Sequence, residues 1–331
     1  MTTPERRTPD RWTIVSTAPF PADALRKFLP DGTEADIVVV DPRTEDAAVA
    51  AVADADIVIG DFTFTVPITR RVIEAMTRCR AILQPSAGFQ QIDHVAAAEH
   101  GIPVCNCAGA NDIPVAEHTV MAGIALMREL AWTDRQIRAG EWPQFGRPNR
   151  EVAARTWGIV GFGRIGKQVA QRLQGWEMQV LYFDAFRPSA EEEAALGVEY
   201  AELDDLLARA DIVSLHVPLL PDTRHLIDAR RLGLMKPDAG LVNVARGGIV
   251  DEAALLETLR AGKLRGAALD VFEQEPLPAG HPFTELDNVI LSPHTAGTVV
   301  EAQVRILKKT KANLNRVLTG EPLVDVVNGV A

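Results

Sequence analysis

Short apolar runs rich in β-branched residues recur along the chain, and between them lie segments whose apolar positions repeat at helical spacing. In the first hundred residues the runs are Trp12 to Ser16, Ile37 to Val40, Ile57 to Gly60, Ala81 to Gln84 and Val104 to Asn106, with helical segments such as Asp46 to Ala53 and Ile68 to Met76. Strands alternating with helices predict a parallel sheet covered on both faces. A longer helical stretch, Val115 to Arg138, is predicted to bridge to a second unit of the same kind. Its runs are Thr156 to Val160, Met178 to Phe183, Ile212 to Leu215, Leu241 to Val244, Ala267 to Leu269 and Val289 to Leu291. A last helix over Val299 to Leu318 follows, with Lys308, Lys309 and Lys311 reading as a solvated face. The tail at Val324 to Val327 is expected to return to the first sheet, which makes the first domain discontinuous.

Composition narrows the function classes. A chain of 331 residues is long enough for two cores, and 47% hydrophobic with 24% charged residues is an ordinary globular balance. A net charge of −11 argues against a nucleic-acid or membrane-surface partner, because there is no basic field to draw phosphates. No apolar run approaches the roughly 18 residues that span a bilayer, and the first ten residues are polar with no signal core. Three cysteines, Cys79, Cys105 and Cys107, make no disulfide framework. These features together predict a soluble cytoplasmic protein. Cys105 and Cys107 share a strand face and have His94 and His100 nearby in sequence, but no second ligand pair has zinc spacing, so buried thiols and no metal are the expectation.

Gly161-Phe162-Gly163-Arg164-Ile165-Gly166 follows the Thr156 to Val160 run directly, in GxGxxG spacing. The first glycine makes the tight turn, the second lets the backbone approach a pyrophosphate, and the third allows close helix packing. The diphosphate would sit on free N–H groups at the start of a helix predicted over Lys167 to Gln174. The next strand delivers Asp184, 18 residues beyond Gly166, near the offset of about 20 at which an acid binds a ribose 2′-hydroxyl. Asp184 would repel a 2′-phosphate, so NAD is favoured over NADP, with the cation Arg187 working against strict exclusion.

Ligands of open parallel sheets bind beyond the carboxyl ends of strands. In the second unit those ends carry His216 and Pro218, then Ala245-Arg246-Gly247-Gly248, then Asp270 with Glu275-Pro276, and then Pro293-His294-Thr295-Ala296-Gly297. Arginine offers a planar fork for a carboxylate and its neighbouring carbonyl, and histidine can exchange a proton with that oxygen. A carboxylate beside the ring would stabilise the imidazolium and fix its orientation. Taken together the set suits reduction of a ketone beside a carboxylate.

The sequence resembles the D-isomer-specific 2-hydroxyacid dehydrogenases through GFGRIG with Asp184, SLHVPLLPDTRHLI from Ser214, NVARGGIVDEAAL from Asn243, GAALDVFEQEP from Gly266 and SPHTAG from Ser292. PSAGFQQID from Pro85 and VAEHTVM from Val115 add to it in the first part of the chain. The resemblance implies an α/β fold of two parallel-sheet domains. Residues 1–110 with 299–331 would form a flavodoxin-like substrate domain, and 111–298 a Rossmann domain for NAD. It implies Arg246 as the substrate-binding arginine, Glu275 as the acid paired to histidine and His294 as the general acid/base. Cofactor contacts would come from Gly161, Gly163, Arg164, Ile165, Gly166, Asp184, His216, Pro218, Thr223, Val244, Ala245, Asp270, His294 and Gly297, and substrate contacts from Ala87, Gly88, Asn111 and Arg246. It further implies a homodimer, with Trp132 and Trp142 as candidates for interface or core packing, and a small 2-oxo or 2-hydroxy acid of glyoxylate or hydroxypyruvate type as substrate. Phe89-Gln90-Gln91 departs from the family's commoner sequence before Ile-Asp. The segment at Asn111 also resembles formate dehydrogenases, which pair their histidine with glutamine; Glu275 favours the hydroxyacid reading. Formate or phosphite oxidation, and an NAD-sensing interaction protein, are the alternatives.

Overall fold

The computed structural model describes residues 9–330; most of the polar N-terminal stretch lies outside them. The chain forms two compact units, one from the residues up to Ala110 with those from Val300 onward, the other Asn111–Val299.

In the first unit, β1 (Trp12–Ser16), β2 (Ala35–Val39), β3 (Ile57–Ile59), β4 (Ala81–Leu83) and β5 (Val104–Cys105) form a parallel sheet in the order β2-β1-β3-β4-β5. Side chains alternate across it with period two: Ile57 and Ile59 enter one apolar cluster and Val58 the other, so both faces are covered. The helix Val300–Thr319 contributes Leu314 and Val317 to the cluster that holds Ile57, Ile59 and Trp12. The tail then pairs antiparallel with β5 through Val326 and Cys105, supported by Asn106 N–H to the Asp325 carbonyl at 3.1 Å and Val327 N–H to that of Val104 at 2.9 Å. All three cysteines are buried and none is in a disulfide, and burial pushes the Cys105 thiol up to about 12.

The second unit carries β6 (Thr156–Val160), β7 (Gln179–Phe183), β8 (Val198–Tyr200), β9 (Ile212–Leu215), β10 (Gly240–Asn243), β11 (Gly266–Leu269) and β12 (Val289–Leu291). They form a parallel sheet ordered β12-β11-β10-β9-β6-β7-β8. Strand order reverses between β6 and β9, the switch point where such sheets open a ligand crevice. β8 was not anticipated: its Val-Glu-Tyr is short and half polar, as edge strands often are.

Two helix expectations are corrected. The single helix expected over Val115 to Arg138 is two, Asp112–Met127 and Leu130–Arg138, broken where Glu129 takes a left-handed φ of 50°. Periodicity does not register one such residue. The Glu129 carboxylate lies 3.4 Å from both Arg147 and Arg265, so the break coincides with a partly buried ion cluster. The first of these helices starts ahead of Pro114, which is tolerated in a first turn because its missing N–H has no intrahelical partner to lose. The glycine-loop helix spans Arg164–Leu173 instead of starting at Lys167. Gly166 is therefore inside its first turn, where a β-carbon would lie 2.3 Å from the Gly161 carbonyl oxygen and 3.1 Å from Ile159 Cγ2. Close approach to the strand, not helix propensity, accounts for that glycine.

Candidate active site

The glycine loop opens directly from β6. Gly161 has φ +95°, and a β-carbon there would meet the His216 carbonyl carbon and the Val217 nitrogen at 2.7 Å, so the turn presses on the chain leaving β9. Gly163, which caps the helix, has no atom within 4 Å of where its β-carbon would be. That leaves an open cradle at a helix N-terminus, which suits a pyrophosphate. Arg164, in the first turn, pairs with Asp112 at 3.4 Å, and Ile165 is half-buried beside it. At the end of β7, Asp184 accepts from Phe162 N–H at 2.6 Å and Phe186 N–H at 2.8 Å. The carboxylate is thus locked beside the loop with lone pairs left for a diol. Cradle and acid together fit a dinucleotide.

His216 follows β9. The indole N–H of buried Trp157 donates to Ser214 Oγ at 2.9 Å, and Ser214 Oγ lies 3.0 Å from His216 Nε2. The serine oxygen thus ties the buried indole to the imidazole. Nδ1 is closed to solvent and has no hydrogen-bond partner within the described residues. Burial pushes the imidazole down to about 3. The folded protein therefore refuses a proton that the unfolded chain takes up near pH 6.5, and stability falls as pH drops from there towards 3. Urea unfolding of His216→Asn across this window is expected to lose that proton's slope, about 1.4 kcal/mol per pH unit at most. Parallel curves for parent and variant would refute it. Nearby, Thr223 Oγ1 donates to the Pro218 carbonyl at 2.6 Å and accepts from Leu220 N–H at 2.7 Å, closing one turn.

The end of β10 is shaped by buried Asn243, which sequence reasoning missed. Its amide donates to the Arg246 carbonyl at 2.9 Å and accepts from Ala245 N–H at 3.1 Å, clamping the loop that follows Val244. A β-carbon on Gly247 would lie 1.9 Å from the Phe272 carbonyl carbon, so this loop touches the segment that carries Glu275. The Arg246 side chain is partly buried and donates to the Ala245 carbonyl at 2.6 Å. Burial lowers its pKa, and the charge of Glu275 acts the other way.

Glu275 Oε1 accepts from Phe272 N–H at 3.0 Å, and Oε2 lies 2.7 Å from His294 Nδ1. Burial alone would raise this carboxyl; the His294 hydrogen bond, the Phe272 N–H and the charges of His294 and Arg246 outweigh it, so Glu275 stays below the usual glutamate range. A carboxylate only accepts, so Nδ1 carries its proton towards Glu275 and proton exchange falls to Nε2.

His294 has a left-handed φ of 53°, a conformation that persists only where neighbours hold it. Asp270 does so. Its carbonyl accepts from His294 N–H at 2.7 Å; Oδ1 accepts from Ser292 Oγ at 2.6 Å and Thr295 N–H at 2.8 Å, and Oδ2 from Ala296 N–H at 2.9 Å. His118 Nε2 is 3.3 Å from Ser292 Oγ. Ser292 and His118 were missed, and Asp270 was read only as a cofactor contact. Nothing in a strand-end pattern shows which carboxylate will collect a turn's N–H groups. Gly297 closes the turn against Asn111: a β-carbon there would lie 2.7 Å from Asn111 Nδ2.

The structure thus gathers Arg246, Glu275 and His294 at neighbouring strand ends, with Asn111 beside the same turn. Ala87 and Gly88 belong to the first unit, in the loop after β4. There Ser86 Oγ donates to the Gly88 carbonyl at 2.6 Å and Asn106 Nδ2 to that of Ala87 at 2.7 Å.

Residues 120–296 match the model of the D-isomer specific 2-hydroxyacid dehydrogenase, NAD binding domain. The chain belongs to that family. It is 42% identical over 265 residues to a glyoxylate reductase of Thermofilum pendens, covering 79% of this chain and 78% of that one. A D-3-phosphoglycerate dehydrogenase of Methanocaldococcus jannaschii is 37% identical over 316 residues; the match covers 95% of this chain and only 59% of that protein. Among solved structures, an NAD-dependent formate dehydrogenase of Staphylococcus aureus in complex with NAD superposes with a TM-score of 0.83 at 31% identity, covering 95% of this chain and 98% of that one. As a member of the D-2-hydroxyacid dehydrogenase family the protein is an NAD-dependent oxidoreductase, and its matched NAD-binding segment contains the glycine loop, Asp184 and the Arg246, Glu275 and His294 set. Among the described residues no helix is long and apolar enough to cross a membrane, and no cluster of three or more His, Cys, Asp or Glu side chains could hold a metal.

Proposed function

We propose that this protein interconverts a small 2-oxo acid and the corresponding D-2-hydroxy acid, with His294 as general acid/base. The reading is carried by the 2.7 Å contact between His294 Nδ1 and Glu275, with Arg246 beside them. NAD, when bound, supplies or accepts the hydride; the chain's own residues do the rest. The glycine cradle and Asp184 would hold the cofactor at its pyrophosphate and ribose. Arg246 binds the substrate carboxylate and orients the neighbouring carbonyl. His294 Nε2 gives a proton to the carbonyl oxygen during reduction and takes it back during oxidation. Glu275 keeps the ring in one orientation and offsets the charge of its protonated form. Asp270 and Ser292 hold the turn that aims it. The backbone at Ala87 and Gly88 is assigned to the substrate carboxylate, and Asn111 to the substrate side of the site.

The likeness to a glyoxylate reductase supports a glyoxylate or hydroxypyruvate type of substrate. Glu275 in carboxylate contact with His294 supports a hydroxyacid over formate. A homodimer is supported by the apolar side chains left in water on and just after the helices Asp112–Met127 and Leu130–Arg138: Trp142 and Phe145 are 80% and 92% exposed, joined by Met121, Leu130 and Ile137. Trp142 is therefore not a core residue of the chain, whereas Trp132 is half-buried under the Arg147 guanidinium.

The test is NADH oxidation with glyoxylate, hydroxypyruvate, pyruvate, phenylpyruvate and oxaloacetate, repeated with NADPH, beside NAD reduction with formate and phosphite. Turnover of a 2-oxo acid with NADH is expected. Formate or phosphite oxidation without 2-oxo acid reduction would overturn the reading, and NADH binding without any turnover would favour a sensing protein.

A further inference from the structure

An arginine near the end of the second strand of a dinucleotide unit is the usual partner of a 2′-phosphate. Arg187, three residues beyond Asp184, stands where such a partner would. Its guanidinium is already engaged. One face lies over the Tyr200 ring, 4.2 Å from the centroid, and Nη2 donates to Glu193 Oε1 at 3.0 Å. Glu193 is seated by the core: the same oxygen accepts from the hydroxyl of Tyr182. Tyr182 is fully buried, and its ring stacks on Phe162 of the glycine loop at 4.2 Å between centroids. If Glu193 followed Arg187 outward, the buried hydroxyl would lose its acceptor. The acid is therefore the fixed partner, and the arginine rests on it.

We propose that Glu193 is a positioning residue that tethers Arg187 to the Tyr200 face, and that this tether sets the preference for NAD over NADP. The inference rests on the NAD reading above and adds to it a second determinant beside Asp184. Asp184 opposes a 2′-phosphate by charge. Glu193 acts by occupying the cation that would otherwise receive it.

The experiment is a fluorescence titration of NADH and NADPH against the whole protein, so that it does not depend on knowing the substrate. Glu193→Gln keeps an acceptor for Tyr182 and removes the charge that holds Arg187. Its Kd for NADPH is expected to fall by up to about five-fold, the scale of one exposed ion pair, since the contact with Tyr200 remains, while that for NADH is unchanged. The double variant Arg187→Ala/Glu193→Gln should return NADPH binding to the parent's level. Arg187→Ala alone, at an exposed side chain, should leave both affinities near the parent's, because a tethered arginine contributes little to the phosphate. An unchanged NADPH affinity in Glu193→Gln, a gain that survives loss of Arg187, or NADPH binding that weakens in Arg187→Ala would each overturn the tether. Failure of the parent to bind NADH would instead strike at the cofactor reading beneath it.

Discussion

Replacing His294 with alanine is expected to lower kcat by about 10³-fold while NADH binding stays near the parent's, since positioned general acid/base catalysis contributes roughly 10²- to 10⁴-fold. The Nδ1 contact with Glu275 assigns proton exchange to Nε2. Of the neighbouring imidazoles, His216 is held neutral by burial and His118 contacts Ser292 Oγ. The left-handed backbone of residue 294 complicates an alanine substitution, because loss of activity then includes any slackening of the turn. His294→Asn separates the effects, since asparagine tolerates that conformation and cannot transfer the proton. Both variants should lose kcat alike, with thermal midpoints and NADH titrations close to the parent's. Turnover within about ten-fold of the parent in His294→Asn would remove histidine from the acid/base role.

Arg246→Lys is expected to lower kcat/KM for the 2-oxo acid by about 10²- to 10³-fold, with NADH affinity retained. A lysine keeps the charge but replaces a planar fork by a point donor, so one or two charge-assisted hydrogen bonds, roughly 1.5–3 kcal/mol each, are lost or misdirected. The charge of Arg246 also helps to keep Glu275 ionised, and a lysine ammonium preserves that effect, so the loss falls on substrate orientation. Steady-state kinetics on the best substrate of the panel, with NADH binding measured separately, checks the expectation. A change confined to NADH binding would reassign Arg246 to the cofactor.

Much of the fold and of the candidate site can be read from the chain, because both depend on where buried parallel strands end. Thr156–Val160, Ile212–Leu215 and Val289–Leu291 coincide with the apolar runs, since strands covered on both faces show no interruption until they leave the sheet. Arg246, Glu275 and His294 each follow such an end, and their convergence is what the parallel register produces. What could not be read is which backbone group or side chain each polar residue takes as its partner, near in the chain or far from it. Asp270 gathers the turn that carries His294, Asn243 clamps the loop before Arg246, and Glu193 takes Arg187. Each looks, in one dimension, like an ordinary polar residue. The break at Glu129 and the edge strand Val198–Tyr200 escaped for a different reason: one left-handed residue and three half-polar positions are too short to leave a periodic signal.

The first unit's core includes Leu314 and Val317, and its β5 edge is paired by the segment around Val326. During synthesis, then, the first 110 residues leave the ribosome without the parts that complete them. The whole of Asn111–Val299 must be made first, so the later-encoded unit can close its seven-stranded sheet while the earlier one still waits. The connectivity therefore permits an order opposite to the usual N-terminal-first folding of domains. Until the segment around Val326 has been made, the β5 edge at Val104 and Cys105 lacks the partner that the folded chain gives it.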